Sequence, residues 1–387
     1  MMYFDFVFYR RVLAFSWAHQ WPGRRTTLAK LLVLVPILAV VNSVCFLLDY
    51  LFFPSLWRQR VERPVFIVGH ARSGTTLMHR LMAGDGERFS YFLYWETFFP
   101  SLIQKKIIKL LGWFDQHVLG GTVLRRLQMI DKRTFDPYRH IHDMSLWNPE
   151  EDQFVMGAAF LSQQWAIELP IMHELDLFHI DDLAPARRRR WLRFYAECVK
   201  RQLLLHGGTH THLSKNPVMS GWVEALLEAF PDARFVVMVR DPLQCVPSTL
   251  KLVESAWKVR KWPRDQCGAA HDALVRVSFD SFDLPRRALD AHPETPHRFV
   301  DYRALVRAPA EVVREVYAAL GLSVSEEFSQ TLTSQERDEK AHASRFRYDL
   351  GDYGITPQQI EVRLERHYAE YDWPRASAER MEHDDQV

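Results

Sequence analysis

The sequence has little of what marks several protein classes. Its four cysteines are far apart, without a CxxC pair: Cys45, Cys198, Cys245 and Cys267. This spacing indicates neither a zinc site nor a disulfide framework, and it makes a reducing compartment the default expectation. The net charge is only +1, so no nucleic-acid partner is expected. No Asn-x-Ser/Thr sequence occurs, which disfavours a glycosylated lumenal enzyme.

Glycine is scarce as well, with 16 among 387 residues, whereas aromatic residues make up 13% of the chain. This composition favours a packed core over disorder. Segments typical of strands at 65–68, 235–239 and 298–302 alternate with helical patterns such as 311–320. The alternation predicts an α/β fold with a P-loop-type parallel sheet flanked by helices.

The strongest local signal is an anion-binding loop. The apolar run at 65–68 leads into Gly-x-x-x-x-Gly-Thr-Thr at 69–76, which is typical of a strand, a tight turn and a helix start. Glycines let the backbone approach an anion, and the first N–H groups of the helix then face it. A nucleoside-triphosphate P-loop places Lys after its second glycine. Here Thr75 stands there and the positive charge is at Arg72, which predicts a nucleotide with a short 5′ anionic chain.

A second cluster follows another buried strand. Phe235 to Val239 ends in Arg240-Asp241-Pro242, and Ser248 stands at the start of a helical pattern. A guanidinium can form two hydrogen bonds to a phosphate, and a hydroxyl at a helix start can add a third. The alternative is an ordinary strand end, capped by the Asp-Pro pair.

These residues together resemble a known family, the sulfotransferases that use 3′-phosphoadenosine-5′-phosphosulfate (PAPS). The loop residues Arg72, Ser73, Gly74, Thr75 and Thr76 resemble the family's 5′-phosphosulfate loop. Arg240 with Ser248 resembles its 3′-phosphate motif. The similarity is greatest to the bacterial-type branch and to tyrosylprotein sulfotransferases, and it runs from about Pro64 to about Trp373. It implies in-line transfer of a sulfuryl group from PAPS to a hydroxyl acceptor, without a metal.

The resemblance also suggests two catalytic residues. Glu96 follows the loop at a distance close to that of the glutamate base of tyrosylprotein sulfotransferases, although the spacing departs by a few residues. Lys215, in Leu-Ser-Lys-Asn-Pro at 213–217, resembles the family's Lys-x-Pro element, whose ammonium can offset charge on the leaving oxygen. A surface or capping glutamate and an exposed lysine are the alternatives.

Other acids compete with Glu96 for the role of base. Glu150, Glu151 and Asp152 lie in a segment that resembles the Pro-Glu-Glu-Asp element of the bacterial branch. They could bind acceptor hydroxyls, supply the base, or only start a helix, since anions favour a helix N-terminus. His140 and His142 precede them but match no motif.

Three further residues are predicted to lie near the nucleotide. Tyr302 belongs to a segment like the family's Tyr-x-x-Leu-Val-x-x-Pro element and is expected to support the fold there. Arg345 and Arg347 lie in a stretch that resembles a C-terminal segment that folds over the cofactor, and a solvated loop is the alternative.

The run at 187–190, four consecutive arginines, is expected to form a solvated helix face.

The N-terminus is a separate region by composition. Leu31 to Leu48 is almost wholly apolar, and about eighteen such residues are at the threshold for spanning a bilayer. Neighbouring aromatic and basic residues suit a membrane interface. The segment could lie on the membrane, span it, or pack on the domain. A single span would place the catalytic domain outside the cytoplasm, where a bacterial enzyme lacks PAPS, so a cytoplasmic enzyme attached through a non-spanning anchor is favoured.

We therefore predict three regions: an N-terminal extension and anchor at 1–60, a sulfotransferase domain at 61–375 and a polar tail at 376–387. The acceptor is a hydroxyl-bearing small molecule, lipid or sugar. A P-loop kinase-like phosphotransferase and an inactive nucleotide-binding membrane scaffold are the other two functions that the sequence leaves open. The lack of Lys after Gly74 counts against the first.

Overall fold

The computed structural model of the chain describes residues 3–136, 144–339 and 354–376. Within these ranges a parallel sheet of five strands has the order β2-β3-β1-β4-β5. The strands are β1 (Val65–Gly69), β2 (Phe89–Ser90), β3 (Thr211–Lys215), β4 (Arg234–Val239) and β5 (His297–Asp301). The predicted α/β class and parallel sheet are confirmed. β1 and β4 are buried at every residue, which is why they read as continuous apolar runs.

Helices surround the sheet and extend beyond it. Before β3 they are α1 (Phe6–Ala18), α2 (Arg24–Ala29), α3 (Val35–Phe52), α4 (Thr75–Ala83), α5 (Tyr94–Thr97), α6 (Leu102–Val118), α7 (Thr122–Phe135), α8 (Gln153–Met156), α9 (Gln164–Glu168) and α10 (Pro185–Leu205). After β3 they are α11 (Val223–Ala229), α12 (Pro242–Val259), α13 (Gly268–Ala291), α14 (Tyr302–Arg307), α15 (Pro309–Ala319), α16 (Glu326–Glu339), α17 (Pro357–Arg363) and α18 (Glu365–Tyr371).

The two faces of the sheet contribute to two hydrophobic clusters. Phe66 and Val68 of β1 pack with α10, α11 and α13, whereas Val65 and Ile67 pack with α4 and α15. Successive side chains of a strand point to opposite faces, so both faces of the sheet are covered by helices. This layering leaves the carboxyl edge of the sheet as the place for a site.

The N-terminal segment, residues 3–60, packs against the rest of the chain. Phe8, Val12 and Phe15 of α1 belong to the same hydrophobic cluster as β1. Asp5 is fully buried, caps α1 and accepts hydrogen bonds from Trp191 Nε1 at 2.9 Å and from Arg187 and Arg190. The expected solvated face is thus only part of what the arginine run at 187–190 forms: Arg189 is exposed, whereas Arg187 and Arg190 pair with a buried carboxylate of the N-terminal segment. The boundaries at 60 and 375 stay predictions.

The apolar N-terminal run forms part of one long helix, Arg24–Phe52, which contains a π turn at Lys30–Leu34. It is long and apolar enough to cross a membrane by length and composition, and only 17% of its most apolar window is buried. The predicted apolar helical extension is thus present. The buried residues Leu31, Ala39, Phe46 and Asp49 lie along the side that contacts the rest of the protein.

One helix start differs from the sequence pattern. The apolar spacing from Ser220 to Phe230 is typical of one amphipathic helix, but α11 begins only at Val223, because Pro217–Trp222 forms a 3₁₀ helix first. Asn216 causes this tighter turn, since its side chain accepts a hydrogen bond from Val218 N at 3.1 Å. Apolar spacing alone does not distinguish the two helix types over one turn.

Candidate active site

The carboxyl ends of four parallel strands bring the predicted site residues to one edge of the sheet. β1 ends at Gly69, β3 at Lys215, and Arg240 and Tyr302 directly follow β4 and β5. In open α/β sheets the crevice beyond the carboxyl ends is where ligands bind. The four segments are far apart in sequence, so their convergence is a result of the fold.

The loop between β1 and α4 is a tight turn. Gly69 and Gly74 have φ of 125° and 94°, and Arg72 has φ of 69°, a conformation that costs a non-glycine residue energy. A Cβ on Gly69 would lie 2.1 Å from the carbonyl oxygen of Met238, so the loop needs glycine to lie against β4. The buried Ser73 hydroxyl donates to His70 O at 2.6 Å and fixes the turn.

Thr75 and Thr76 are the first two residues of α4. Backbone N–H groups in a first helical turn have no partner inside the helix, and they point along its axis with the positive end of the helix dipole. The loop therefore has the strand, tight turn and helix start that the sequence predicted, and anion binding there stays a prediction.

The two predicted phosphate motifs are in direct contact. Arg72 Nε donates to Ser248 Oγ at 3.2 Å, and Arg240 Nη1 donates to the carbonyl oxygen of Arg72 at 3.1 Å. The Arg240 guanidinium lies 4.3 Å from the ring centroid of Tyr302. A Cβ on Gly74 would lie 2.5 Å from the Tyr302 ring, so Tyr302 packs on the loop itself.

Ser248 does not stand at a helix start, and that expectation is wrong. α12 begins at Pro242, with Asp241 as its cap, and continues through Pro247 to Val259. Proline normally interrupts a helix, which is why the sequence pattern appears to begin after Pro247. The hydroxyl of Ser248 nevertheless reaches the loop, because the second turn of α12 lies beside Arg72.

Lys215 is a buried ammonium held by two carboxylates. Its Nζ donates to Glu151 Oε1 at 3.0 Å and to Glu150 Oε1 at 3.4 Å. Burial by itself lowers the pKa of Lys215, but Glu151 and Glu150 outweigh burial and the pKa is raised above its usual value. Lys215 is therefore a charged group at the sheet edge, and it is not the solvent-exposed lysine of the alternative.

Backbone pairing with the segment after β2 brings these acids to the sheet edge. Glu150 N donates to Phe92 O at 3.0 Å, and Tyr94 N donates to Asn148 O at 3.0 Å. Glu150 is almost fully buried, whereas the Glu151 side chain keeps 17% of its surface exposed. Gln153 Nε2 donates to the second oxygen of Glu151 at 2.9 Å. Glu151 is thus the more accessible acid beside Lys215.

Asp152 lies deeper, in a polar cluster that the sequence did not reveal. Its Oδ2 accepts from the Tyr195 hydroxyl and lies 2.8 Å from His212 Nε2. All three residues are buried. Tyr195 and His212 come from α10 and β3, so no local motif connects them with the acid. The position of Asp152 suits a residue that stabilises the neighbouring Glu150–Glu151 segment.

Glu96 is fully buried and is bound elsewhere. Its Oε2 accepts from Leu93 N at 2.9 Å, which caps α5, and from Gln202 Nε2 at 2.7 Å. Lys105 Nζ in turn donates to Gln202 Oε1 at 2.5 Å. The hydrogen bonds of Glu96 therefore run to Leu93 and to α10, and not to Lys215 or the loop.

The remaining candidates lie outside the described residues. Arg345 and Arg347, and also His140 and His142, are in this group. Across residues 3–136, 144–339 and 354–376, no group of three or more His, Cys, Asp or Glu side chains could hold a metal ion.

Comparison with known proteins assigns the family. The model of a sulfotransferase family matches residues 64–326, which include β1, the loop, Lys215, Arg240 and Tyr302. The chain belongs to the sulfotransferase family. It is 29% identical over 350 residues to the omega-hydroxy-beta-dihydromenaquinone-9 sulfotransferase Stf3 of Mycobacterium tuberculosis and to that of Mycobacterium bovis. The match covers 87% of this chain and 82% of each relative.

Solved sulfotransferases share the fold. The structure of STF9 from Mycobacterium avium has a TM-score of 0.72 at 19% identity and covers 96% of this chain and 93% of its own. That of STF1 from Mycobacterium tuberculosis has a TM-score of 0.60 at 19% identity and covers 92% and 91%. These findings confirm the bacterial-type family and an enzyme that transfers a sulfuryl group. The resemblance to tyrosylprotein sulfotransferases stays a prediction.

Proposed function

We propose that the protein transfers a sulfuryl group from PAPS to a hydroxyl acceptor by in-line displacement. The observation that carries the proposal is the contact between the two phosphate motifs, in which Arg72 bonds to Ser248 and Arg240 bonds to the loop backbone. PAPS carries a phosphosulfate at its 5′ end and a phosphate at its 3′ position. A site with two adjoining anion-binding elements suits a nucleotide that is charged at both positions.

Each residue then has a defined task. The N–H groups at the start of α4, with Ser73, Gly74, Thr75 and Thr76, are proposed to hold the 5′-phosphosulfate. Arg240 and Ser248 are proposed to hold the 3′-phosphate. Tyr302 supports both elements through its packing on Gly74 and Arg240. Arg345 and Arg347 stay proposals for the same clamp.

Lys215 is proposed to stabilise the leaving group. In the reaction a bond forms between the acceptor oxygen and sulfur, the bond between sulfur and the bridging oxygen breaks, and 3′,5′-ADP leaves with the electron pair. An ammonium beside the bridging oxygen stabilises the charge that develops there. The raised pKa of Lys215, caused by Glu151 and Glu150 against the effect of burial, keeps the proton on this group.

The acceptor must lose its proton to a base, and we propose Glu151 for this role. It adjoins Lys215 and remains partly exposed. The sequence favours Glu96, but its burial and its bonds to Leu93 and Gln202 support a structural role better. Geometry within reach of the reacting proton is the first requirement for a general base.

A lipid alcohol is the acceptor class that we propose. Two relatives are named for omega-hydroxy-beta-dihydromenaquinone-9, a lipid with a hydroxyl group. The exposed apolar side of helix Arg24–Phe52 supports the same class, since an enzyme attached to the membrane surface can meet such an acceptor there. Contacts along the length of this helix, from Leu31 to Asp49, favour attachment to one leaflet on the cytoplasmic side over a span.

Nucleotide binding and turnover test the proposal. 3′,5′-ADP should raise the melting temperature, whereas ATP with Mg²⁺ should not, because binding to the native state alone stabilises it. Purified protein with PAPS and a long-chain lipid alcohol should form a sulfate ester, and a sugar or a phenol should react more slowly. Stabilisation by ATP alone would support the kinase-like alternative. Binding of 3′,5′-ADP without turnover of PAPS on any acceptor would support the inactive scaffold.

A further inference from the structure

The helical hairpin of α6 and α7 leaves a large apolar surface uncovered. Leu110 and Leu111 of α6 are 63% and 61% exposed, and Met129 and Ile130 of α7 are 62% and 59% exposed. Trp113 is more than half exposed as well. Contiguous apolar surface of this kind marks a contact with a membrane or another protein.

The exposed charged side chains of α6 and α7 are all basic. Its two acids, Asp115 and Asp131, are buried at 4% and 5% exposure. Asp115 accepts from Val123 N and Leu124 N at 2.9 Å and so fixes the start of α7. The exposed charged side chains of this hairpin are basic: Lys106, Lys109, Arg125, Arg126, Lys132 and Arg133. Asp136, the residue directly after α7, is the exposed acid beside them. An apolar surface with mainly basic charges around it is complementary to an anionic lipid surface.

The hairpin adjoins the N-terminal helix. Asp49 accepts hydrogen bonds from Leu102 N at 2.9 Å and Ile103 N at 2.7 Å, and Gln104 Nε2 donates to Asn42 Oδ1 at 3.1 Å. Leu47 and Leu51 of α3 are themselves about 70% exposed, at 68% and 70%. The uncovered sides of α3 and α6 therefore belong to neighbouring helices.

The other end of the hairpin reaches the site. Asp131 accepts from Leu146 N at 2.8 Å, and the ring of Phe135 lies 5.8 Å from that of Tyr94. Tyr94 is part of the segment that pairs with the backbone before Glu150. The hairpin thus connects the N-terminal helix with the edge that carries Glu151.

We propose that the α6–α7 hairpin is a second membrane-binding element, which lies with α3 in the interfacial region of one leaflet of an anionic bilayer. The protein then binds the membrane through two segments that are distant in sequence, and neither needs to cross it. Basic side chains contact lipid headgroups while Leu110, Trp113 and Ile130 enter the acyl region. Delivery of a lipid alcohol to Glu151 along this surface rests on the proposed function, but the membrane contact itself does not.

Vesicle partitioning of the full chain tests the hairpin directly. We expect binding to vesicles of equal parts phosphatidylcholine and phosphatidylglycerol to exceed binding to phosphatidylcholine alone. The triple variant Leu110→Glu, Leu111→Glu, Ile130→Glu should lower the partition coefficient at least roughly tenfold, because three carboxylates would enter the interface. Replacing Arg126, Lys132 and Arg133 with Gln should lower binding to the anionic vesicles by about fivefold for each charge.

A matched control carries the same kind of change elsewhere. Val259 and Val362 are also exposed, at 78% and 76%, on α12 and α17, and the variant Val259→Glu, Val362→Glu should bind vesicles like the wild type. All variants should keep the melting-temperature shift with 3′,5′-ADP, which separates lost membrane binding from lost folding. Unchanged partitioning of the hairpin variant would overturn the proposal. So would a lipid-independent dimer that this variant dissociates, since the hairpin would then face a second copy.

Tryptophan quenching separates the hairpin from the N-terminal segment. Phosphatidylcholine brominated on its acyl chains should quench part of the fluorescence of the bound protein. The Trp113→Phe variant should lack one component of this quenched fluorescence, whereas the control variant Val362→Glu should retain it. If the quenched fraction is the same with and without Trp113, only segments such as those of Trp17 and Trp57 contact the bilayer, and the hairpin proposal is wrong.

Discussion

Arg240 is the residue at which the two phosphate elements meet. Its guanidinium donates to Arg72 O at 3.1 Å and to Gln244 Oε1 at 3.0 Å, and it stacks on Tyr302. A planar group with five donors can keep these contacts and still present N–H groups to a phosphate. Arg240 therefore both shapes the loop and offers charge to the nucleotide.

The first prediction concerns Arg240→Ala. This variant should weaken 3′,5′-ADP binding by about 2–4 kcal/mol, the range for losing one partner of a buried charged pair. Adenosine-5′-phosphosulfate, which lacks the 3′-phosphate, should lose much less affinity in the same calorimetric titration. Gln244→Ala is the control, since it removes a neighbour of Arg240 and keeps the charge. Equal losses for both ligands would show that Arg240 acts on the loop alone.

The second prediction separates two glutamates. Glu151→Gln should lower kcat by about 10²–10⁴, as expected for loss of a general base, with little change in 3′,5′-ADP affinity. Glu96→Gln should keep most of the rate but lower the melting temperature, since Glu96 caps α5 and binds Gln202. The reverse result, with a slow Glu96→Gln and a fast Glu151→Gln, would return the role of base to Glu96.

Residues of the site could be predicted where a local motif carries them. Arg72, Lys215 and Arg240 each stand next to a strand in a recognisable segment, and the fold brings them to one edge. The partners of Lys215 could not be inferred, because Glu150 and Glu151 reach it through pairing with the segment after β2. Tyr195 and His212 were missed for the same reason. They meet Asp152 only through tertiary packing.

Among the elements, α3 carries a buried acid that joins it to two other helices. Asp49 accepts from Arg201 Nε at 2.7 Å and from two N–H groups at the start of α6. Glu197 also accepts from Arg201, at 2.7 Å. One side chain thus joins α3, α6 and α10.

The third prediction concerns Asp49→Ala. The change removes one of the two carboxylates that pair with the buried Arg201 and the acceptor of two N–H groups of α6, so the free energy of unfolding should fall by about 3–5 kcal/mol. Leu47→Ala, on the exposed side of the same helix, should change it by less than about 0.5 kcal/mol. Urea denaturation in detergent measures both. Equal, small effects would mean that α3 is not an integral part of the folded domain.

A histidine joins the loop before α10 to α13. His179 lies 2.7 Å from Asp176 Oδ2 and 3.0 Å from Asp280 Oδ2. The hydrogen bonds that its ring donates to Asp176 and then to Asp280, against burial, raise the pKa of His179 to about 9. The folded protein therefore holds this proton more tightly than the unfolded chain does.

The fourth prediction follows from the raised pKa of His179. The stabilisation by His179 should be complete below about pH 6.5, the unfolded pKa, and should be lost as the pH rises to about 9. After allowance for solvent screening it amounts to about 1–2 kcal/mol. The difference in unfolding free energy between wild type and His179→Gln should shrink over this interval. A constant difference would show that the proton is not linked to folding.

Strong strands and long helices were predictable, because β1 and β4 are continuous apolar runs and α10 has clear helical spacing. At two places a proline makes the start of a helix hard to predict. Pro247 lies inside α12 and hid its first turn, and Pro217 opens a 3₁₀ turn before α11. The exposed apolar side of α6 and α7 was not foreseen either, since the apolar spacing of an amphipathic helix does not say whether its partner is protein or lipid.

On the scale of the whole molecule, the N-terminal segment is both part of the core and part of the surface. Phe8, Val12 and Phe15 share a cluster with the sheet, while Leu47 and Leu51 face outward. Composition suggested an extension that could be separated from the domain. The signal against that interpretation was two isolated acids, Asp5 and Asp49, in an otherwise apolar and aromatic segment, since such acids are buried only with partners.

The fifth prediction concerns a chain that starts at Arg60. A mere anchor could be removed to leave a soluble, folded sulfotransferase. In this structure, removal would expose Trp191 and leave Arg201 and Glu197 without Asp49 and Tyr50. We therefore expect the shortened chain to aggregate or to unfold without a cooperative transition, even in detergent, and to lose the melting-temperature shift with 3′,5′-ADP. The matched full-length variant Leu47→Glu, Leu51→Glu should keep that shift and bind membranes less, because it changes only the outward side of α3. A shortened chain that stays soluble and binds 3′,5′-ADP would show that the segment is a separable anchor. If instead the shortened chain does not fold, while the Leu47→Glu, Leu51→Glu protein folds and binds membranes less, one segment serves both the core and the membrane contact.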